Sequence, residues 1–194
     1  MTSNFSTNEL FHLAIDAANN QRNDKALSYL KELVERSPEH HQGKFLLAST
    51  YASLGMFNEA IVGFKDCLRT EPEFSLARFQ LALSLLATGQ TEDGAVELKE
   101  LTSATPEYLI NFAKGILFSL DNKKDEAIEQ LKLGISINNE NPSLNGDMEG
   151  VIEALETMPN IANNSNENPK PAAELESNID DLSTHSFLLG AYKQ

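Results

Sequence analysis

Apolar side chains return along this chain at two nested periods. The short period is helical. In Phe45-Leu46-Leu47-Ala48-Ser49-Thr50-Tyr51 the run opens with the spacing of one face of a 3.6-residue helix. Gly55 follows, where a helix end wants a residue tolerant of positive φ. Asn58-Glu59-Ala60-Ile61-Val62-Gly63-Phe64 then opens a second helix, and Pro72 lies just past its end. The stretch predicts a helical hairpin. The long period is 34 residues, the spacing of Pro38, Pro72 and Pro106. Ala14, Ala48, Ala82 and Gly115 keep step with the prolines, as do Ala26, Ala60, Gly94 and Ala127. Leu30, Phe64, Leu98 and Leu131 form a third series in the same register. In each series the last interval is 33, so one residue is lost near the start of the fourth unit. Several independent series in register predict a repeat architecture. The small residues let helices approach closely, and the large ones fill the space between them.

The other three units follow the same plan with different punctuation. The third stops its first helix at Gly89 and offers Thr91 as an N-cap ahead of acidic Glu92 and Asp93. The first uses Asn19-Asn20-Gln21 in place of glycine, and the fourth turns at Asp121-Asn122-Lys123-Lys124. The repeats are bounded at 7–38, 41–72, 75–106 and 108–139. Residues 143–158 predict a ninth, capping helix, with Met148, Val151, Ile152, Leu155 and Met158 on one stripe and Asp147, Glu149, Glu153 and Glu156 outside it. Residues 159–176, rich in Asn and Pro, read as a linker, and 177–194 as an acidic tail with an apolar cluster.

This pattern resembles the tetratricopeptide repeat family, whose unit of 34 residues pairs small residues with large ones and ends in proline. The second unit carries the resemblance best, with Leu47, Ala48, Tyr51, Gly55, Ala60, Phe64 and Pro72 on family positions. The others depart in places. The bulky aromatic that the family carries early in the first helix is Leu10, Lys44, Arg78 and Asn111 here, and Asn139 stands where the fourth proline would be. The resemblance covers about residues 7–140. It implies an all-α solenoid, a right-handed superhelix of four helical hairpins plus the capping helix. It also implies a concave groove lined by the first helices, which serves protein–protein interaction. Fold alone does not name the partner.

The implied groove positions have their own pattern. Phe11, Phe45, Phe79 and Phe112 recur in register, followed one turn on by Ile15, Ser49, Leu83 and Ile116, and then by Ala18, Ala52, Leu86 and Ser119. Two readings of the phenylalanines stand side by side: rungs of an aromatic ladder open to a ligand, or wedges between neighbouring first helices. The first two units offer Asn8, Asn19, Gln42, Ser49 and Ser53, whereas the last two offer Leu76, Leu83, Leu86, Leu109, Ile116 and Leu120. A polar end and an apolar end suit an amphipathic helix or a peptide with apolar anchors. These positions are largely phenylalanine and aliphatic, so the Lys, Asn and Arg clamp of the family subgroup that binds acidic C-termini is not expected.

Charge divides the chain. The net charge is -14, and residues 143–194 hold half of it with 2 basic and 9 acidic side chains. A chain this acidic lacks the basic stripe a nucleic-acid binder needs. No run approaches the ~18 apolar residues of a membrane span. The first ten residues show neither the basic nor the apolar segment of a secretory signal, and Cys67 stands alone, so a cytoplasmic protein is expected. At the far end, Phe187, Leu188, Leu189 and Tyr192 form an apolar cluster in an otherwise polar tail. Three readings of it are open: docking in the groove of the same chain or of a neighbour, a bait for another protein, or a solvated tail. Exchange of tails between copies would make a homo-oligomer.

Chemistry is sparse. His12, His40, His41 and His185 show no metal-binding spacing, and no acid or His stands near Cys67 in the arrangement of a nucleophile. Gly115 and Gly134 are isolated, not part of a phosphate loop. The reading is a non-enzymatic adaptor or scaffold without cofactor or metal. Its alternative is a client-specific chaperone of the secretion type that shields apolar segments of a partner.

Overall fold

The computed structural model describes residues 4–101 and 106–157. Among these it contains nine α-helices and no strand: α1 (Thr7–Asn19), α2 (Asn23–Arg36), α3 (His41–Ser53), α4 (Phe57–Thr70), α5 (Ser75–Ala87), α6 (Thr91–Glu100), α7 (Glu107–Leu120), α8 (Lys124–Ile137) and α9 (Ser143–Thr157). Consecutive odd and even helices pack as hairpins, and each even helix packs on the odd helix that follows it. This is an all-α solenoid built from one repeated hairpin. Met158, the linker and the tail lie outside the described residues.

The turn inside each hairpin shows how sequence sets the repeat. Gly55 (φ 73) and Gly89 (φ 82) are left-handed, as their position after a helix requires. Gln21 (φ 56) and Asn122 (φ 58) take the same conformation at the equivalent places, although each carries a Cβ. In the second hairpin Gly55 N donates to Ala52 O at 2.9 Å and Met56 N to Tyr51 O at 2.9 Å, which satisfies carbonyls the helix end would leave open. Helix starts are less regular. Ser6 caps α1 in a capping box with Glu9, which holds the Glu9 carboxyl below its usual range. The sequence offers Thr91 as the cap of α6, but Gln90 occupies that place without a side-chain bond, and Thr91 is the first helical residue.

The small residues act by close approach. A Cβ on Gly94 would sit 2.8 Å from Leu86 Cγ, so glycine replaces the family alanine because its neighbour is a leucine. On Gly115 a Cβ would lie 2.6 Å from Leu131 Cγ, and on Gly134 it would lie 2.5 Å from the Phe112 ring. The aromatic series forms the joints between hairpins. Phe11 packs on the His40 ring at 4.8 Å and Phe45 on Phe74 at 4.8 Å. Phe79 meets Phe112 at 6.1 Å, and Phe112 meets Tyr108 at 5.8 Å. Each ring in the first three hairpins therefore meets one supplied by the next repeat.

α9 closes the far end through Leu144, Met148, Val151, Ile152 and Leu155, which join the core of the last two hairpins. Asn138 joins α8 to α9: its Nδ2 donates to Asn141 O at 2.7 Å and to Asn145 Oδ1 at 2.8 Å. These bonds do the turn-fixing work that a proline does in the other units. The stripe pattern puts Asp147 outside the apolar face. It is half-buried instead, and burial pushes its carboxyl up to about 6.

Candidate functional site

The nine groove positions split into two groups. Phe11, Ile15, Phe45 and Ser49 are partly exposed. Phe79, Leu83, Leu86, Phe112 and Ile116 are buried in the core cluster that runs from α5 to α9. The surface of these five is spent on packing, and the two phenylalanines among them, Phe79 and Phe112, lie against each other. α5 carries the extreme case, with every side chain from Leu81 to Ala87 buried. Ser49 Oγ is buried and has no hydrogen-bond partner among the described residues, which leaves one polar atom of the α3 wall unsatisfied. The tail residues Phe187, Leu188, Leu189 and Tyr192 lie outside the described residues.

The position where the family carries an early aromatic is rebuilt with charge. Lys44 on α3 reaches Asp66 on α4 at 3.0 Å, and Arg78 on α5 reaches Glu97 on α6 at 2.8 Å. Lys44 and Arg69 together hold the Asp66 carboxyl below its usual range. Asn111 follows in series on α7, buried, with its Nδ2 unpaired among the described residues. Each pair ties the two helices of one hairpin, a task the family gives to packing.

A second feature escapes the sequence reading. Between α2 and α4, floored by α3, lies a groove of about 570 Å³ whose lining includes Val34, Leu47, Ala48, Tyr51, Val62 and Gly63. None of the nine groove positions lines it. Val62 is 70% exposed beside it, and Lys31 Nζ stands 5.6 Å over the Tyr51 ring. The next repeat shows why the groove is open here. Leu68 replaces Val34, and Glu97, tied to Arg78, replaces Gly63. Leu81 and Leu85, which correspond to Leu47 and Tyr51, are fully buried. The signal is therefore a missing side chain at 63 and a short one at 34.

The candidate reactive groups are occupied structurally. Burial pushes the Cys67 thiol up to about 11, so it stays protonated at neutral pH. His40 Nδ1 accepts from Gly43 N at 3.0 Å and caps α3. His41 Nδ1 lies 3.3 Å from Thr70 Oγ1. No group of three or more His, Cys, Asp or Glu side chains is placed to hold a metal among the described residues. None of the described helices is long and apolar enough to cross a membrane.

The architecture is that of a helical-hairpin solenoid, a class that presents surfaces for protein–protein interaction. The particular repeat it resembles is the tetratricopeptide repeat: that family's profile matches residues 11–64, and solved tetratricopeptide-repeat proteins share the stack. A thermophilic TPR protein of Thermus thermophilus superposes with a TM-score of 0.65 at 17% identity, over 78% of this chain and 84% of that one. MamA from Desulfovibrio magneticus RS-1, as residues 41 to the end, gives a TM-score of 0.58 at 16% identity, over 80% of this chain and 88% of that one. No curated protein sequence matches the chain. Identities this low carry the fold and nothing finer.

Proposed function

We propose that this protein is an adaptor that holds a peptide or amphipathic helix of a partner protein against the first-helix face of hairpins 1 and 2. The observation that supports this is the exposure of Phe11, Ile15, Phe45 and Ser49 where their counterparts downstream are buried. The two partly exposed rings and Ile15 offer apolar contact to a bound peptide. The chain's own C-terminal segment, carrying Phe187, Leu188, Leu189 and Tyr192, is a tethered rival for apolar surface on the stack. Exchange of that segment between copies gives a dimer in the same reading.

The test is affinity capture with the wild type beside an Ile15→Lys/Ser49→Lys variant whose helical circular dichroism and melting temperature match. A partner that binds wild type and is lost from the variant is the expected result. Equal recovery would sink this reading. The second reading, a client-specific chaperone, draws on the same apolar and uncharged wall. It requires a chain that aggregates or melts early without its client, whereas the adaptor is folded and stable alone.

A further inference from the structure

We propose that the groove between α2 and α4 is the intramolecular docking site of the chain's own segment Phe187–Tyr192. Such an arrangement leaves the first-helix face free for a partner. The idea builds on the tethered-rival reading above and gives that rival a separate address.

The first argument is where unburied apolar surface lies. A docking segment gains only from surface still in water. The aliphatic positions of the first-helix face in hairpins 3 and 4, Leu83, Leu86 and Ile116, have almost none left. The α2/α4 groove is open, with Leu47 and Tyr51, both still partly in water, on its floor between Val34 and Val62.

Shape is the second argument. On α4 the lining runs from Asn58 to Asp66, about two helical turns or ~12 Å. As a helix, the six residues Phe187 to Tyr192 span ~9 Å. In that conformation Leu188, Leu189 and Tyr192 fall at i, i+1 and i+4, one apolar face that fits a trough of this length. Gly190 and Ala191 keep the rest of the turn small.

Reach is the third. Thr157, the last residue of α9, lies at the far end of the stack. Helices pack 8–10 Å apart, so two to three hairpins put the groove roughly 30 Å from it. Thirty residue steps separate Thr157 from Phe187. A chain of that length reaches at most ~100 Å, well beyond the distance required. A tether long enough to span the two sites makes the encounter intramolecular and raises the effective concentration.

The experiment uses the full chain with Ser186→Cys carrying a nitroxide. Cys67 is buried and its thiol stays protonated, so the label goes to position 186. Methyl signals of Val34, Leu47 and Val62 should lose most of their intensity, while Ile15 keeps its own. Adding Val62→Asp, at an exposed position, should restore the Val34 and Leu47 signals. Three results would overturn the proposal: broadening at Ile15 instead of the groove, no broadening in either place, or broadening seen only between labelled and unlabelled molecules. Partner capture through Ile15 and Ser49 is read separately, so either reading can fail while the other stands.

Discussion

Hairpins 1 and 2 are built on the same repeat as hairpins 3 and 4, yet they leave partly in water a set of first-helix positions whose counterparts in hairpins 3 and 4 are buried. In the first pair Phe11, Phe45, Leu47 and Tyr51 are all partly exposed. In the second pair the corresponding Phe79, Phe112, Leu81 and Leu85 are buried, and one core cluster runs unbroken from α5 to α9. Hairpins 1 and 2 instead contribute to two smaller clusters. The repeat fixes where helices go, and the side chains between the fixed positions decide which part is foundation and which part is surface. Hairpins 3 and 4 with α9 anchor the fold. Hairpins 1 and 2 carry the partly exposed positions on which the proposed partner site rests.

That division can be broken most forcefully at the phenylalanines. Phe112→Ala empties a fully buried ring and should cost about 4 kcal/mol, whereas Phe11→Ala should cost ~1–2 kcal/mol. Chemical denaturation of both variants checks this, and equal losses would erase the distinction between anchor and surface. The glycines give a smaller contrast of the same kind. Gly134→Ala drives a Cβ to 2.5 Å from the immobile Phe112 ring and should cost ~2–3 kcal/mol. Gly63→Ala meets the Ala48 methyl at 2.7 Å beside an open groove, and a loss of ~1 kcal/mol is expected. Melting temperatures would rank the two.

Asp147 sharpens the comparison from the other side, because it is a flaw inside the anchor. Its carboxyl titrates at about 6 when folded and near 3.8 when unfolded. Between those values the folded state binds more protons, so stability falls as pH rises through the window. Above pH 6 the whole cost is present. Asp147→Asn should therefore stabilise the chain at pH 7 by ~1–2 kcal/mol, after allowance for partial exposure, and by little at pH 4. Urea titrations at the two pH values would show it, and an equal effect at both would exclude burial of charge as the cause.

Much of this is legible in the sequence, for definite reasons. The hairpins are, because 34-residue spacing is set by residues that cannot be exchanged freely. Gln21 and Asn122 can be placed at the glycine positions by register alone, and they adopt the same left-handed turn. Gly94 looks like a departure from the family and is in fact forced by Leu86. Burial of Phe79 and Phe112 is not legible, since a ring at that register can face solvent or a neighbour, and the neighbour decides. The α2/α4 groove is hidden for a related reason. It depends on Val34 and Gly63, which are small in different repeats and become adjacent only when the stack forms.

The ring contacts between repeats also set a timetable for synthesis. Phe11 is completed by His40, Phe45 by Phe74 and Phe79 by Phe112, so each hairpin waits for residues about 30 positions further along. On a ribosome that lengthens the chain one residue at a time, folding trails translation by a full repeat. The newest hairpin is always the unfinished one, and α9 is the last piece to seal the column.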